Sequence, residues 1–467
     1  MRKRARISRR KGDQENDFNS NDYISGMPDD ILVSILSKLP LKEAATTSNL
    51  STKWRYLWCQ TDCLDFDAND KLDKIAVGSK LRVIERPKYI NWVNRVTRQH
   101  KAQTIDEFRI CFDFDKSSKC AIDKWVEFAI SKRAQKLELD LLENCEMLRE
   151  TPRNYVLPIK IFDKSVGLTS KRRSLTFPKT VFSKEIGIKF LKYLYLKRVN
   201  VSEEALSKIL VNCTALQQLS IHGSGDLVNV KISGKALVLK YLEIVFCFGV
   251  KLIEIIDSNI ESLRYLGFGI TIKLDDVPRL QEISIGEWYS GFENNVFGQI
   301  SCCISHLQIL TLDIYCPEED VKFVCIPELP KLRQLILKIG AWDDDSLLEF
   351  TSLAKACPKL QRFVLQLIWM SPAKRRRKIR HAAKHPHQHL EMVEIVGYFG
   401  RTSDLELAVY FIENAIALKK LVIDPRYQVL ERTPTGNDQL KNEKTARSCA
   451  KKQLEPRRPK GVDLVIL

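Results

Sequence analysis

The sequence predicts an α/β solenoid, an irregular array of strand-and-return units behind a small N-terminal module of three helices. Three observations predict it. An apolar-x-x-apolar-x-apolar pattern recurs ten times between Leu191 and Ile423. Between the copies lie stretches with helical spacing of apolar residues. A separate run, Asp22–Asp67, carries its own helical pattern interrupted at Pro40.

The repeat comes first, because missing it would misassign everything else. Its copies are Leu191/Leu194/Leu196, Leu216/Leu219/Ile221, Leu239/Leu242/Ile244, Leu263/Leu266/Phe268 and Leu280/Ile283/Ile285. They continue at Leu307/Leu310/Leu312, Leu332/Leu335/Leu337, Leu360/Phe363/Leu365, Leu390/Val393/Ile395 and Leu418/Leu421/Ile423. First positions are 25, 23, 24, 17, 27, 25, 28, 30 and 28 residues apart. Weaker copies precede them at Ile105/Phe108/Ile110 and Ala134/Leu137/Leu139, and Leu141–Val181 holds no clean copy. The alternating end of each copy reads as a short strand with one face buried. The return reads as a helix or loop. Val201–Leu210 is the clearest helix, with Ser202 as N-cap and Ala205, Leu206, Ile209 and Leu210 facing inward; Asp344–Ala356 is a second. One unit cannot bury its own apolar face, but stacked units can.

The N-terminal module spans about 45 residues, close to the size at which a fold needs outside help. Pro28 opens its first helix, Asp29 and Asp30 sit at the positive dipole end, and the helix is expected to run to Leu39. Ile31, Leu32, Ile35, Leu36 and Leu39 cover an arc of about 140° at 100° per residue. Ser51 can cap a last helix bearing Trp54, Leu57 and Trp58. So wide an apolar arc exceeds what a small core covers, which points to a helical partner.

The charge balance limits the function classes. Among 467 residues, 75 Lys+Arg against 58 Asp+Glu give +17. The surplus is local: Met1–Lys11 and Lys374–Lys384 hold seven cations each and no acid, and Lys441–Lys460 holds eight against two acids. The rest of the chain is close to −3, so the body is no basic nucleic-acid surface. The basic runs read as solvated segments, an import signal at the N-terminus, or nucleic-acid patches. No run of 18 apolar residues occurs, so no membrane span is expected. Met1–Lys11 is followed by no apolar stretch of the secretory kind. Thirteen scattered cysteines without C-x-x-C suggest free thiols in a reducing compartment.

The array resembles a leucine-rich repeat solenoid, and Asn212–Leu219 and Ala356–Phe363 resemble the helix-to-strand step of plant F-box proteins. Met27–Ala44 (MPDDILVSILSKLPLKEA) and Leu50–Trp58 (LSTKWRYLW) resemble the F-box, with Met27 at the usual leucine. Leu390–Arg426 resembles the FBD-type repeat that ends many plant F-box/leucine-rich-repeat proteins, and Ala446–Leu467 resembles their tails. The resemblance implies this organisation: basic tail 1–20, F-box 21–67, helical connection 68–104, repeat domain 105–375, FBD-like repeats 385–430 and basic tail 431–467. It also implies a substrate-recognition subunit of an SCF-type ubiquitin ligase. The F-box would bind a Skp-family adaptor, which joins a cullin–RING core, and the repeats would hold an unknown target. Mechanistically this is tethering, with no bond chemistry in the chain. By this match Met27, Pro28, Ile31, Leu32, Ile35, Leu36, Leu39 and Pro40, with Trp54, Leu57 and Trp58, form the adaptor contact. The expected location is the nucleus, the cytoplasm or both.

No cofactor or metal is expected. The histidines of His381–His389 (HAAKHPHQH) are split by Pro386 and crowded by Arg380 and Lys384. Cys302 and His306 lack a second ligand pair. The acids Asp343–Asp345 read as helix capping. No P-loop, zincin or nucleophile-elbow motif occurs, so an enzyme is not expected. Two other readings stay open: a nuclear nucleic-acid-associated protein using its basic segments, and an F-box scaffold acting outside a ligase.

Overall fold

The computed structural model describes residues 23–68, 71–72, 74–75, 80–141, 153–162, 187–287, 296–314, 326–341, 346–369, 377–426 and 437–467. The N-terminal module holds helices α1 (Asp29–Leu36) and α2 (Leu41–Thr46) and the 3-10 helices Thr47–Asn49 and Trp54–Gln60. Next come α3 (Leu81–Gln99) and α4 (Lys119–Ser131), which pack on the first strands.

Among the described residues, fourteen parallel strands form one sheet in chain order, from Cys63–Asp67 to Asp463–Ile466. The repeat pattern builds it. Leu219, Leu242, Leu263, Ile283, Leu310 and Leu335 stand side by side in register. Ile221, Ile244, Tyr265, Ile285, Leu312 and Leu337 form the next column. Both columns are buried and run through one continuous core, so each unit lends its apolar face to its neighbours.

One copy is out of register in the sequence reading. Leu263 aligns with the second positions Leu242 and Ile283, so the unit is Ile260/Leu263/Tyr265, not Leu263/Leu266/Phe268. The short step before Leu280 disappears, because first positions 239, 260 and 280 are nearly evenly spaced. Leu266 misled because it is apolar too, but it lies on the other face of the strand.

The returns differ along the array. The helix α5 (Glu203–Asn212) is capped by Ser202, whose hydroxyl accepts from the Ala205 N–H. The next three units return as strands, Asn229–Ser233, Leu252–Ile256 and Thr271–Asp275, which form a second parallel sheet. A strand advances about 3.3 Å per residue against 1.5 Å in a helix, so a strand return needs fewer residues. That is why these units are the short ones. Asp344 lies outside the described residues; the described part of the second expected helix is the 3-10 helix Leu347–Phe350 followed by a short α-helix, Thr351–Lys355.

Two more strands belong to the array than the repeat pattern suggested. Leu64 and Phe66 pair with Phe108 and Ile110 at one end, and Leu464 and Ile466 with Leu421 and Ile423 at the other. Residues 437–467, read as part of a basic tail, are therefore folded. Their helix α7 (Asn437–Leu454) buries Ala446, Ala450 and Leu454, four residues apart among lysines. Before it, α6 (Thr402–Asn414) is anchored by the buried Asp404, which accepts from the N–H groups of Phe399, Gly400 and Arg401. Burial pushes the Asp404 carboxyl up to about 6 despite those bonds.

Candidate partner-docking surfaces

The first surface is the outer side of the N-terminal module. Leu32, Leu36, Ala44, Trp54 and Leu57 form its core. The Trp54 indole N–H donates to Ser25 Oγ at 2.8 Å. Lys53 Nζ donates to the carbonyls of Ser25 and Met27, both at 2.7 Å, which fastens the entry to α1. Pro28 is the cap residue, one position before the helix. The helix ends at Leu36, three residues before the expected Leu39, because Lys38 and Leu39 donate to Ile35 and Leu36 in a tighter turn. The last helix is 3-10 over its whole length, and Ser51 does not cap it.

The expected adaptor residues therefore divide. Met27, Ile31, Ile35 and Leu39, four residues apart, form an outward stripe at 38–47% exposure, flanked by exposed Pro28 and Pro40. Leu32, Leu36, Trp54 and Leu57 are at most 5% exposed and hold the module together. In the chain by itself they support the surface from beneath. Trp58 is half-buried and packs against both the module core and the repeat core. Leu50, at 68% exposure, is a further exposed apolar residue of the module and was not singled out from sequence.

The second surface is the face of the main sheet turned from the core. The residue between the two apolar columns lies there in every unit. Asp65, Arg109, Glu138, Tyr195, Ser220, Glu243 and Arg264 stand in one row. Arg109 reaches Asp65 and Glu138, each at 3.1 Å. Glu243 accepts from Ser220 at 2.6 Å and from Arg264 at 3.0 Å, and lies 3.1 Å from His222. Burial alone would raise the Glu243 carboxyl, but these partners draw it down to about 2. The row continues through the uncharged Ser284 and Thr311 to the apolar Ile336 and Val364.

At the strand ends the same face carries an apolar cluster of Val245, Phe246, Leu266 and Ile368, with Phe248 against it. The Phe248 ring lies 4.6 Å from that of exposed Phe268. Phe246 has φ +52°, a strained conformation for so large a side chain. Arg198 and Gly223 adopt positive φ at the matching corners of the two preceding units. Sequence reasoning missed this row and cluster, although the residue between two repeat leucines always points to this face.

One histidine of the run is structural. His387 is buried, its Nε2 is 3.0 Å from Tyr410 Oη, and burial lowers its pKa to about 4. Among the described residues no group of three or more potential metal ligands comes together. The described part of the same basic run begins at Arg377, which is bound to the buried carboxylate of Glu406. Met1–Lys11, Lys374–Arg376 and Asp343–Asp345 lie outside the described residues. No helix among the described residues is long and apolar enough to cross a membrane. The described cysteines, Cys59, Cys302 and Cys303 among them, are free thiols.

With this geometry in place, comparison with known proteins gives a consistent answer. Residues 24–65 match the F-box domain, and residues 96–467 match a family described as At1g61320/AtMIF1, LRR domain. The Arabidopsis thaliana F-box/FBD/LRR-repeat protein At5g22700 is 23% identical over 88% of this chain and 94% of its own length. The F-box/FBD/LRR-repeat protein At5g53840 of the same plant is 25% identical over 86% of this chain and 88% of its own length. The F-box/LRR-repeat protein At3g59200 reaches 31% identity over 45% of this chain and 38% of its own length. The two family matches cover the N-terminal module and the solenoid of parallel strands in turn: the chain is an F-box protein and belongs to the At1g61320/AtMIF1-type leucine-rich-repeat family.

Proposed function

We propose that this chain is the substrate-recognition subunit of an SCF-type ubiquitin ligase. The observation that carries the reading is the stripe Met27/Ile31/Ile35/Leu39, an apolar surface that the module's own core leaves open. A Skp-family adaptor covers that stripe and joins it to a cullin–RING core. A target protein lies on the open face of the sheet, where the charged row gives register and the Phe246/Phe248/Leu266 cluster gives apolar area. The chain performs no bond chemistry. It raises the concentration of target lysines near the charged conjugating enzyme. The proposal puts the chain in the nucleus or the cytoplasm, with Met1–Lys11 as its import signal.

The test is capture of adaptor and cullin by tagged full-length chain, beside an Ile31→Asp/Ile35→Asp variant. The wild type is expected to capture both and the variant neither, with the variant's far-ultraviolet circular dichroism unchanged. Capture of neither by the wild type would overturn the reading. Capture of adaptor without cullin would replace it with a scaffold acting outside a ligase.

A further inference from the structure

A cavity of about 970 Å³ opens where the N-terminal module meets the first repeats. Its wall carries Arg55, Arg95, Arg98, Lys101, Lys132 and His100, and no carboxylate. None of the five Arg and Lys side chains has a carboxylate partner among the described residues. Elsewhere several partly buried cations are paired: Arg86 with Asp113, Arg109 with Asp65, Lys197 with Asp140, Arg264 with Glu243. Arg55, Arg95, Arg98 and Lys101 are exposed, and Lys101 lies 4.6 Å from the Tyr56 ring centroid. Lys132 donates to the Ala102 carbonyl and is partly desolvated, which lowers its pKa. The end of α3 contributes roughly half a negative charge here, far less than five cations supply.

A second observation points the same way. His100 is 7% exposed and lines this cavity. Its Nε2 is 2.9 Å from the Thr61 carbonyl, which can only accept, so Nε2 carries the proton. Its Nδ1 is buried and has no hydrogen-bond partner. A buried polar atom without a partner is destabilising, and this one lies on a residue of the cavity wall. The remaining wall includes the rings of Tyr56, Trp58 and Trp92.

We propose that this cavity binds a multiply phosphorylated small molecule. Its volume falls in the range of small-ligand sites, about 300–1,000 Å³. Five cations lining one cavity without a carboxylate among them fit several phosphates. The consequence is mechanical. Arg55 and Tyr56 belong to the last helix of the N-terminal module, Arg95 and Arg98 to α3, and Lys132 follows α4. A polyanion held by all three ties the module to the solenoid and fixes the angle between them.

The probe is sodium tripolyphosphate, titrated calorimetrically into full-length chain at constant ionic strength, without adaptor, so the outcome is independent of ligase function. One saturable site is expected. Arg95→Gln/Arg98→Gln should weaken it at least tenfold, while Lys419→Gln/Lys420→Gln and a variant with the seven cations of Met1–Lys11 changed to glutamine should keep it. The His100 imidazole resonances, assigned with His100→Gln, should move on saturation. Equal binding by wild type and Arg95→Gln/Arg98→Gln would overturn the proposal. So would loss of binding in the Met1–Lys11 variant alone. Tighter binding of a polyglutamate peptide with the same dependence on Arg95 and Arg98 would also overturn it, in favour of an acidic protein segment.

Discussion

Arg377 and Glu406 form a fork-to-fork pair across the C-terminal part of the solenoid. Both terminal nitrogens of Arg377 donate to the Glu406 carboxylate, the NH2 group at 2.8 Å. The Glu406 side chain is fully buried, and it also accepts from the Arg380 N–H and the Ser346 hydroxyl. An arginine from a run that looks like a solvated basic segment is thus a clamp. It holds the loop before the histidines against α6.

Removing Arg377 leaves a buried carboxylate with incomplete compensation. Arg377→Ala is expected to cost about 3–5 kcal/mol in urea unfolding. Lys378→Ala, at an exposed neighbour, should cost within about 0.5 kcal/mol. Burial would raise the Glu406 pKa, but Arg377 and its other donors hold it below the ordinary carboxylate value. Its contribution is therefore present at neutral pH and is lost as pH falls through that lowered pKa. Equal costs for the two variants would show that the run is solvated.

Glu243 sets a second acid limit. Its carboxyl titrates near 2 in the folded chain against 4.5 ordinarily. Its contribution is complete above the ordinary value and disappears as pH falls to about 2. Glu243→Gln should narrow the stability margin at pH 7 by about 3 kcal/mol, and that gap should close by pH 2. Denaturant midpoints of both proteins between pH 2 and 7 measure it. A gap that does not change with pH would mean His222, Ser220 and Arg264 do not hold the charge.

Within the N-terminal module, stability and docking should separate. Trp54→Ala removes a core residue that is 5% exposed and should cost about 3–5 kcal/mol. Ile35→Asp changes an exposed position and should cost within about 0.5 kcal/mol, while still abolishing adaptor capture. Unfolding of the isolated variants, followed by tryptophan fluorescence, distinguishes them. A large loss of stability in Ile35→Asp would show that the stripe belongs to the core.

Gly397 tests the corner geometry of the array. It has φ +80°, and a Cβ there would lie 2.4 Å from the Leu367 carbonyl oxygen, well inside contact. Gly234 also has positive φ, but a Cβ there meets nothing within 4 Å. Gly234→Ala should cost about 1 kcal/mol from backbone strain alone. Gly397→Ala should cost clearly more, because a main-chain oxygen cannot rotate away. Equal urea midpoints for the two variants would contradict the close approach.

The sequence by itself determined the repeat and therefore the sheet. A side chain's face on a strand follows from a period of two, a local property, so the columns through Leu219 and Ile221 were legible one unit at a time. The same locality made α1 and its apolar arc legible. It failed where two local patterns were both apolar: Leu263/Leu266 could be read in two registers, and only pairing with Leu242 and Ile283 chose one. It failed at α7, where three small or apolar residues among lysines looked like a tail. Only the tertiary structure decided which half of the α1 arc faces outward, because Trp54 and Leu57 come from a distant turn to cover Leu32 and Leu36. Only it could gather Arg55, Arg95, Arg98, Lys101 and Lys132 around His100. Charges so far apart in sequence carry no shared period, and their mutual field exists only once the chain is folded.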